Sequence, residues 1–261
     1  MLRSLWEYRH FILASIRAEL KGRFARSRLG GLWFLLNPLA QTLIFSIVLS
    51  QVLQARLPDT EVKAAYPIYL LSGLAAWTLF SEILNRSTTI FIEQASVIKK
   101  IAFPRLCLPV IVWGSALTGH VLLIAAILFV FLFFGHVPGW SVLALPLGIT
   151  LISALAFGLG IILGVLNVFV RDIGQIVAIV LQLWFWLTPI VYPASIVPER
   201  FRWAVDLNPM APLVRIYQDA LLFGHWPQPL TLAVPALVAA GAVTFAFVLF
   251  RRASPELVDA L

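Results

Sequence analysis

Six apolar runs constrain this chain more than anything else in it. They lie at roughly 32–54, 66–84, 108–135, 141–169, 173–192 and 229–250. A bilayer core needs about 20 mostly apolar residues to be crossed by a helix, and each run meets that length. The chain is 61% hydrophobic, 12% charged and has a mean hydropathy of +0.95. No soluble core of 261 residues needs so much apolar surface. The predicted fold is therefore an all-α integral membrane domain with six transmembrane helices. Only GHVPGW separates the third run from the fourth, and only Arg171-Asp172, with Gly174 just beyond, separates the fourth from the fifth. Both pairs read as antiparallel helical hairpins.

Lys and Arg fix the predicted orientation, because cytoplasmic loops carry the excess. With the N-terminus inside, 14 of the 19 basic residues fall in inside segments and 5 in outside ones. Both termini are thus expected in the cytoplasm. A net charge of +7 would suit nucleic acid, but the basic residues sit at the ends of apolar runs, so membrane lipids are the expected partner. The single cysteine, Cys107, excludes an internal disulfide and any multi-cysteine metal site. No cleaved signal peptide is expected, since the first run begins only at Leu32 and lacks a small-residue cleavage site.

Residues 1–28 read as a cytoplasmic interface segment ahead of a permease domain at 29–261. Leu2, Leu5, Tyr8, Ile12, Ile16 and Leu20 share one helical face; Arg3, Glu7, His10, Arg17 and Lys21 share the other. Such a helix lies in the membrane interface. The inside segment 86–106 contains a short helix expected to end before Pro104, with Ile98 and Ile101 beside Lys99 and Lys100. A short amphipathic helix of this kind fits a groove on a soluble partner. Residues 193–228 are Pro-rich and half polar, on the outside. They are apolar enough to dip back into the bilayer and carry enough prolines to break there, and irregular backbone at that depth exists only where protein buries it or water lines it.

The sequence carries no phosphate-binding loop, no H-E-x-x-H, no nucleophile elbow and no paired carboxylates for a proton relay. No catalytic or metal site is expected, and active transport would draw its energy from a partner. Asn37, Gln41, Thr42, Glu82, His120, Asn167 and Gln182 lie within the runs and are expected to face protein or a cavity. His120 reads as a packing histidine. Pro38 is expected to kink the first span. Gly158, Gly160 and Gly164 read as a small face of the fourth span, Gly160 and Gly164 forming a G-x-x-x-G pair. Tyr66, Tyr69 and Trp77, with Trp184, Trp186 and Tyr192, form a dense aromatic group suited to stacking on sugars.

Four patches, RFARSRLGGLWFLLNPL at 23–39, KKIAFPRLCLP at 99–109, NVFVRDIGQIV at 167–177 and LTPIVYPASIVPERFRWAVDLNPMAPLVRIYQDALLFG at 187–224, resemble the permease subunit of type-2 ABC exporters. The branch is the one that exports O-antigen, teichoic acid and related polysaccharides. The resemblance implies a homodimer of six-span subunits with two copies of a separate nucleotide-binding ATPase. That ATPase would hold ATP and Mg, with no cofactor on this chain. It implies a coupling helix within 86–106, short re-entrant helices at the outer mouth within 193–224, and an aromatic channel for a lipid-linked glycan. It also assigns Arg171 and Asp172 to the family's RD pair and Asn208-Pro209 to the break in the outer segment. A lipid-linked cargo carries a pyrophosphate, for which Arg23, Arg26 and Arg28, just before the first span, are the candidate contacts. The expected function is export of undecaprenyl-linked polysaccharide across a bacterial cytoplasmic membrane. The alternatives are a capsule or teichoic acid exporter, an exporter of a small lipid or drug, and a passive scaffold.

Overall fold

The computed structural model describes residues 2–25, 33–47, 65–100, 103–133, 135–257 and 261, and every regular element among them is helical. Helices α1 (Leu2–Glu7) and α2 (Arg9–Ala25) precede α3 (Trp33–Ile47). Helix α4 (Ala65–Glu93) runs almost directly into the short α5 (Ala95–Lys100). Helix α6 (Cys107–Phe133) is joined through a 3-10 turn at Trp140–Ala144 to α7 (Leu145–Phe169), and α8 (Ile173–Leu187) follows. Helices α9 (Glu199–Asp206) and α10 (Met210–Gln218), with a π-helical turn at Asp219–Phe223, lead to α11 (Pro229–Ala253).

Four of these are long and apolar enough to cross a membrane: α4, α6, α7 with its 3-10 turn, and α11. Helices α3 and α8 occupy parts of the first and fifth runs but have 15 residues each, a rise of about 22 Å at 1.5 Å per residue. The first run's residues 48–54 lie outside the described residues. The fifth run was expected to reach 192, yet its helix stops at Leu187 because Thr188 precedes Pro189. The proline ring crowds the residue before it out of the α region, and Thr188 is extended (φ −96, ψ 134). The amphipathic N-terminal segment is two helices, divided at Tyr8.

Helix α4 is the centre of the bundle. Its most apolar window is 78% buried, against 22% for α11, although α4 is the least hydrophobic of the four. A helix surrounded by protein has no need of a lipid-compatible surface. Its hydroxyls fold back onto its own backbone: Ser72, Thr78 and Thr88 donate to the carbonyls of Ile68, Leu74 and Leu84. Helix α7 packs most extensively on α4 and then on α11. Glycines make both approaches possible. A Cβ on Gly160 would meet Ser87 Cβ at 2.6 Å, and one on Gly164 would collide with the Ser87 carbonyl, so the G-x-x-x-G pair holds α7 to α4 within the chain. Gly158 instead faces the Ala242–Val243 backbone of α11 at 2.7 Å. The three glycines therefore do not share a face: two residues along an α-helix turn the side chain by about 200°.

Candidate translocation and coupling sites

Between Thr188 and Tyr192 the chain is irregular but largely buried, Ile190 and Val191 included. Buried carbonyls need partners, and side chains from two helices supply them. Tyr66 donates to the Val191 carbonyl at 2.7 Å; Tyr69 lies 3.1 Å from those of Pro189 and Tyr192; Gln218 donates to Pro189 at 3.0 Å. Gly73 lets this segment approach α4, since a Cβ there would meet Ile190 at 3.2 Å and Gln218 at 3.0 Å. Thus two of the six aromatics picked out in the sequence hold a broken stretch of backbone through their hydroxyls.

Asn208 ties the end of α8 to the start of α10. Its Oδ1 accepts from Trp184 Nε1 at 2.8 Å and from the Met210 amide at 2.9 Å, while its Nδ2 donates to Thr188 Oγ1 at 2.9 Å. Pro209 sits at the mouth of α10, where a missing N–H costs nothing. Helix α10 and the π-turn are deeply buried, with Met210, Leu213, Val214, Tyr217, Ala220 and Leu221 inaccessible. The π-turn leaves carbonyls outside the regular helical ladder, and the α6–α7 link meets them: Ser141 donates to Ala220 at 2.8 Å, and His136 Nε2 lies 2.6 Å from the Leu221 carbonyl. His120 Nε2 contacts Tyr217 Oη at 2.9 Å, so this histidine packs α6 on α10.

The remaining aromatics form an edge-to-face chain. Trp184 meets Phe80 (5.1 Å, 79°) and Trp77 (6.4 Å, 75°); Trp77 meets Phe185 (5.7 Å), and Phe185 meets Trp186 (5.4 Å). The chain begins at inaccessible Phe80 and ends at Trp186, which is 52% exposed. Tyr192 donates to the Trp186 carbonyl at 2.8 Å. Tyr66, Tyr69 and Trp77 are buried, and Trp184 and Tyr192 are half-buried.

At the opposite end of α4, α5 splits its side chains between two surroundings. Ile98 is buried in an apolar cluster with Phe91, Leu106, Val165, Phe250 and Leu257, whereas Lys99 and Lys100 are exposed. Arg105 donates to the Ser254 carbonyl beyond α11, which fastens the C-terminal segment beside this cluster. Ile101 lies outside the described residues, as do Arg26 and Arg28; the side chains of Arg23, in α2, and Pro38, in α3, are likewise outside them.

Arg171 and Asp172 are exposed in the α7–α8 turn, where the Asp172 carbonyl accepts from the Gln175 and Ile176 amides. Asn167 holds the turn: its Oδ1 accepts from the Gly174 amide at 2.9 Å and its Nδ2 donates to the Thr88 carbonyl of α4 at 2.9 Å. Asn37, Gln41 and Gln182 are exposed. The N-terminal apolar stripe packs on protein as well: Ile12 is buried, and Ile16 seats against Gly114 of α6. In the sequence Glu19 carries no motif, and Arg86 reads as a loop charge. The structure pairs them at 2.5 Å, with Glu82 3.3 Å from Arg86. The available signal was the i,i+4 spacing of Glu82 and Arg86 at the end of an apolar run.

The family model described as ABC-2 type transporter matches residues 10–222. The O-antigen export system permease protein RfbA of Klebsiella pneumoniae is 32% identical over 214 residues, covering 79% of this chain and 78% of the relative. Its namesake from Myxococcus xanthus is 30% identical over 227 residues, covering 86% and 85%. The polysialic acid transport protein KpsM of Escherichia coli is 24% identical over 241 residues, covering 89% of each chain.

Proposed function

Because this chain belongs to the ABC-2 type transporter family, as its non-catalytic multi-pass permease subunit, we propose that it exports an undecaprenyl-linked, O-antigen-like polysaccharide across the cytoplasmic membrane. The observation that carries this reading is the similarity, at 30–32% identity over about four-fifths of the chain, to permeases named for O-antigen export. The similarity to a polysialic acid transport protein favours a second cargo of the same chemistry, a capsular polysaccharide.

In this reading the protomer has six spans with α3 and α8 as parts of the first and fifth, both termini in the cytoplasm, and α9–α10 re-entrant at the outer mouth. Two protomers pair and bind two ATPase subunits. Support comes from the exposed Asn37, Gln41 and Gln182 on otherwise apolar helices, since amides facing lipid are costly and a second protomer or a water-filled channel removes that cost. Trp186 and Tyr192 then meet the sliding glycan, while Tyr66, Tyr69, Trp77 and Trp184 form the wall behind them. Lys99 and Lys100 face the ATPase, and Ile98 anchors their helix to the bundle. Arg23, Arg26 and Arg28 receive the lipid pyrophosphate at the cytoplasmic side. Arg171-Asp172 shapes the α7–α8 turn, and Asn208-Pro209 sets the outer break.

Depleting the protein and comparing lipid-linked glycans on the two sides of the membrane tests the cargo. Full-length glycan building up inside, with loss from the surface, is expected. Unchanged surface glycan would overturn the reading. Replacing all three arginines by Gln tests the pyrophosphate contacts, which are wrong if lipid-pyrophosphate binding is unaffected.

A further inference from the structure

Three elements meet at one ring of hydrogen bonds. Glu19 of α2 accepts at Oε1 from Arg86 Nη2 of α4 (2.5 Å) and from Ser115 Oγ of α6 (3.0 Å). Arg86 Nη1 closes the ring on Ser115 Oγ at 2.8 Å and also reaches Glu82 Oε1 at 3.3 Å. An exposed ion pair holds little, but this one is not exposed in that sense. The side chains of Glu19 and Arg86 are each 26% accessible and Ser115 is inaccessible. The residue before Ser115 forms a notch, since a Cβ on Gly114 would sit 2.5 Å from Ile16 Cδ1. Further down, the Phe11 and Phe103 rings lie 5.8 Å apart. Helix α2 is therefore seated along α6 by packing and fixed there by charge.

The position of the ring gives it a mechanical consequence. Arg86 lies seven residues before the end of α4 and Ser115 eight residues after the start of α6, about 10–12 Å along each helix. Between those two ends lies α5, the element that carries Lys99 and Lys100. The Arg86–Ser115 bond thus ties the two legs of the hairpin that has α5 near its tip, and Glu19 adds α2 to the same body.

We propose that Arg86 is a positioning residue for transport, holding α2, α4 and α6 together through Glu19 and Ser115 so that displacement of α5 moves all three as one lever. The proposal rests on the reading of α5 as the element that meets the ATPase.

The test uses the permease–ATPase complex in lipid nanodiscs, with spin labels on cysteines replacing exposed Arg17 and Asn85 in a Cys107→Ala background. The α2–α4 distance should be the same with and without trapped ATP. Arg86→Gln and Glu19→Gln should each broaden it, and the double variant should broaden it no further. In proteoliposomes these variants should bind the ATPase yet lose about tenfold in transport per ATP hydrolysed, within the usual range of coupling between sites. A wild-type distance that shifts when ATP is trapped would overturn the lever, as would an unbroadened distance in both single variants. The distances need no cargo, so a wild type that moves no lipid-linked glycan would count against the export reading alone.

Discussion

Replacing Asn208 by Leu removes a side chain of similar size together with all its polar contacts, which isolates what those contacts contribute. Four groups lose a contact: the Trp184 indole N–H, the Met210 amide, the Thr188 hydroxyl and, at 3.4 Å, the Leu187 carbonyl. Asn208 is only 6% exposed. A buried group left unpaired costs about 1–3 kcal/mol. The Thr188 hydroxyl keeps a bond to the Trp184 carbonyl at 2.8 Å and the Leu187 contact is long at 3.4 Å, so the indole N–H and the Met210 amide bear most of the loss. The expected destabilisation is about 3–4 kcal/mol, at the middle of that range for two groups. Equilibrium unfolding of the purified permease measures it, and the Trp emission should shift to the red as the indole N–H meets solvent. A loss below about 1 kcal/mol would refute the argument, because water would then be satisfying the orphaned groups. The α8–α10 connection would in that case face an aqueous vestibule rather than packed protein.

Removing the hydroxyl with Tyr69→Phe should cost about 1 kcal/mol, the net worth of a typical hydrogen bond. Hydrogen exchange should rise selectively at the amides of 190–192. Gly164→Ala places a methyl against the Ser87 carbonyl and should destabilise by about 1–3 kcal/mol through overpacking. Gly241→Ala, with nothing within 4 Å of the new Cβ, should stabilise α11 by up to about 1 kcal/mol; equal effects in thermal unfolding would contradict the packing. Lys99→Gln with Lys100→Gln should weaken ATPase binding and reduce its salt dependence, whereas Ile98→Ala, which opens a cavity beneath α5 at a cost of about 2–5 kcal/mol, should loosen α5 even without the ATPase.

The spans were legible where the hydrophobic pattern alone decides. The third run, expected at 108–135, is α6 at Cys107–Phe133, and the fourth coincides with the turn at Trp140 plus α7. The second run was expected to end at 84, but α4 continues to Glu93. Its last two turns read as polar loop because the hydrogen bonds that place Arg86 and Thr88 there come from Ser115, Glu19 and Asn167, which are remote in sequence. The same limit applies to the aromatics. Residue type marked Tyr66 and Trp186 alike, yet one is buried with its hydroxyl on Val191 and the other is half accessible. A density of rings carries no information about which face turns inward. Asn208 was found through resemblance, and its role as a three-way connector needed the fold.

Helix α4 joins these observations into one mechanical argument. Tyr66 and Tyr69, at its first turns, hold the buried irregular backbone of 188–192; Trp77 and Phe80, at its middle, pack on Trp184; Arg86, near its last turns, holds α2 and α6; and α5 follows directly. The helix has 29 residues, about 43 Å at 1.5 Å per residue, which is longer than the hydrocarbon core. Pro67 lies in its first turn, where no intrahelical N–H is needed, so the remainder carries an unbroken hydrogen-bond ladder. A continuous helix bonded to the 188–192 break at one end and to Glu19 and Ser115 at the other couples the two ends. On the proposed orientation and the proposed contact of α5 with the ATPase, motion imposed on α5 would arrive at the 188–192 break and, through Asn208, at α10. This requires no relay of small side-chain changes along the membrane. It also explains why the least hydrophobic of the four long helices occupies the centre: its polar residues are where other elements are fastened to it.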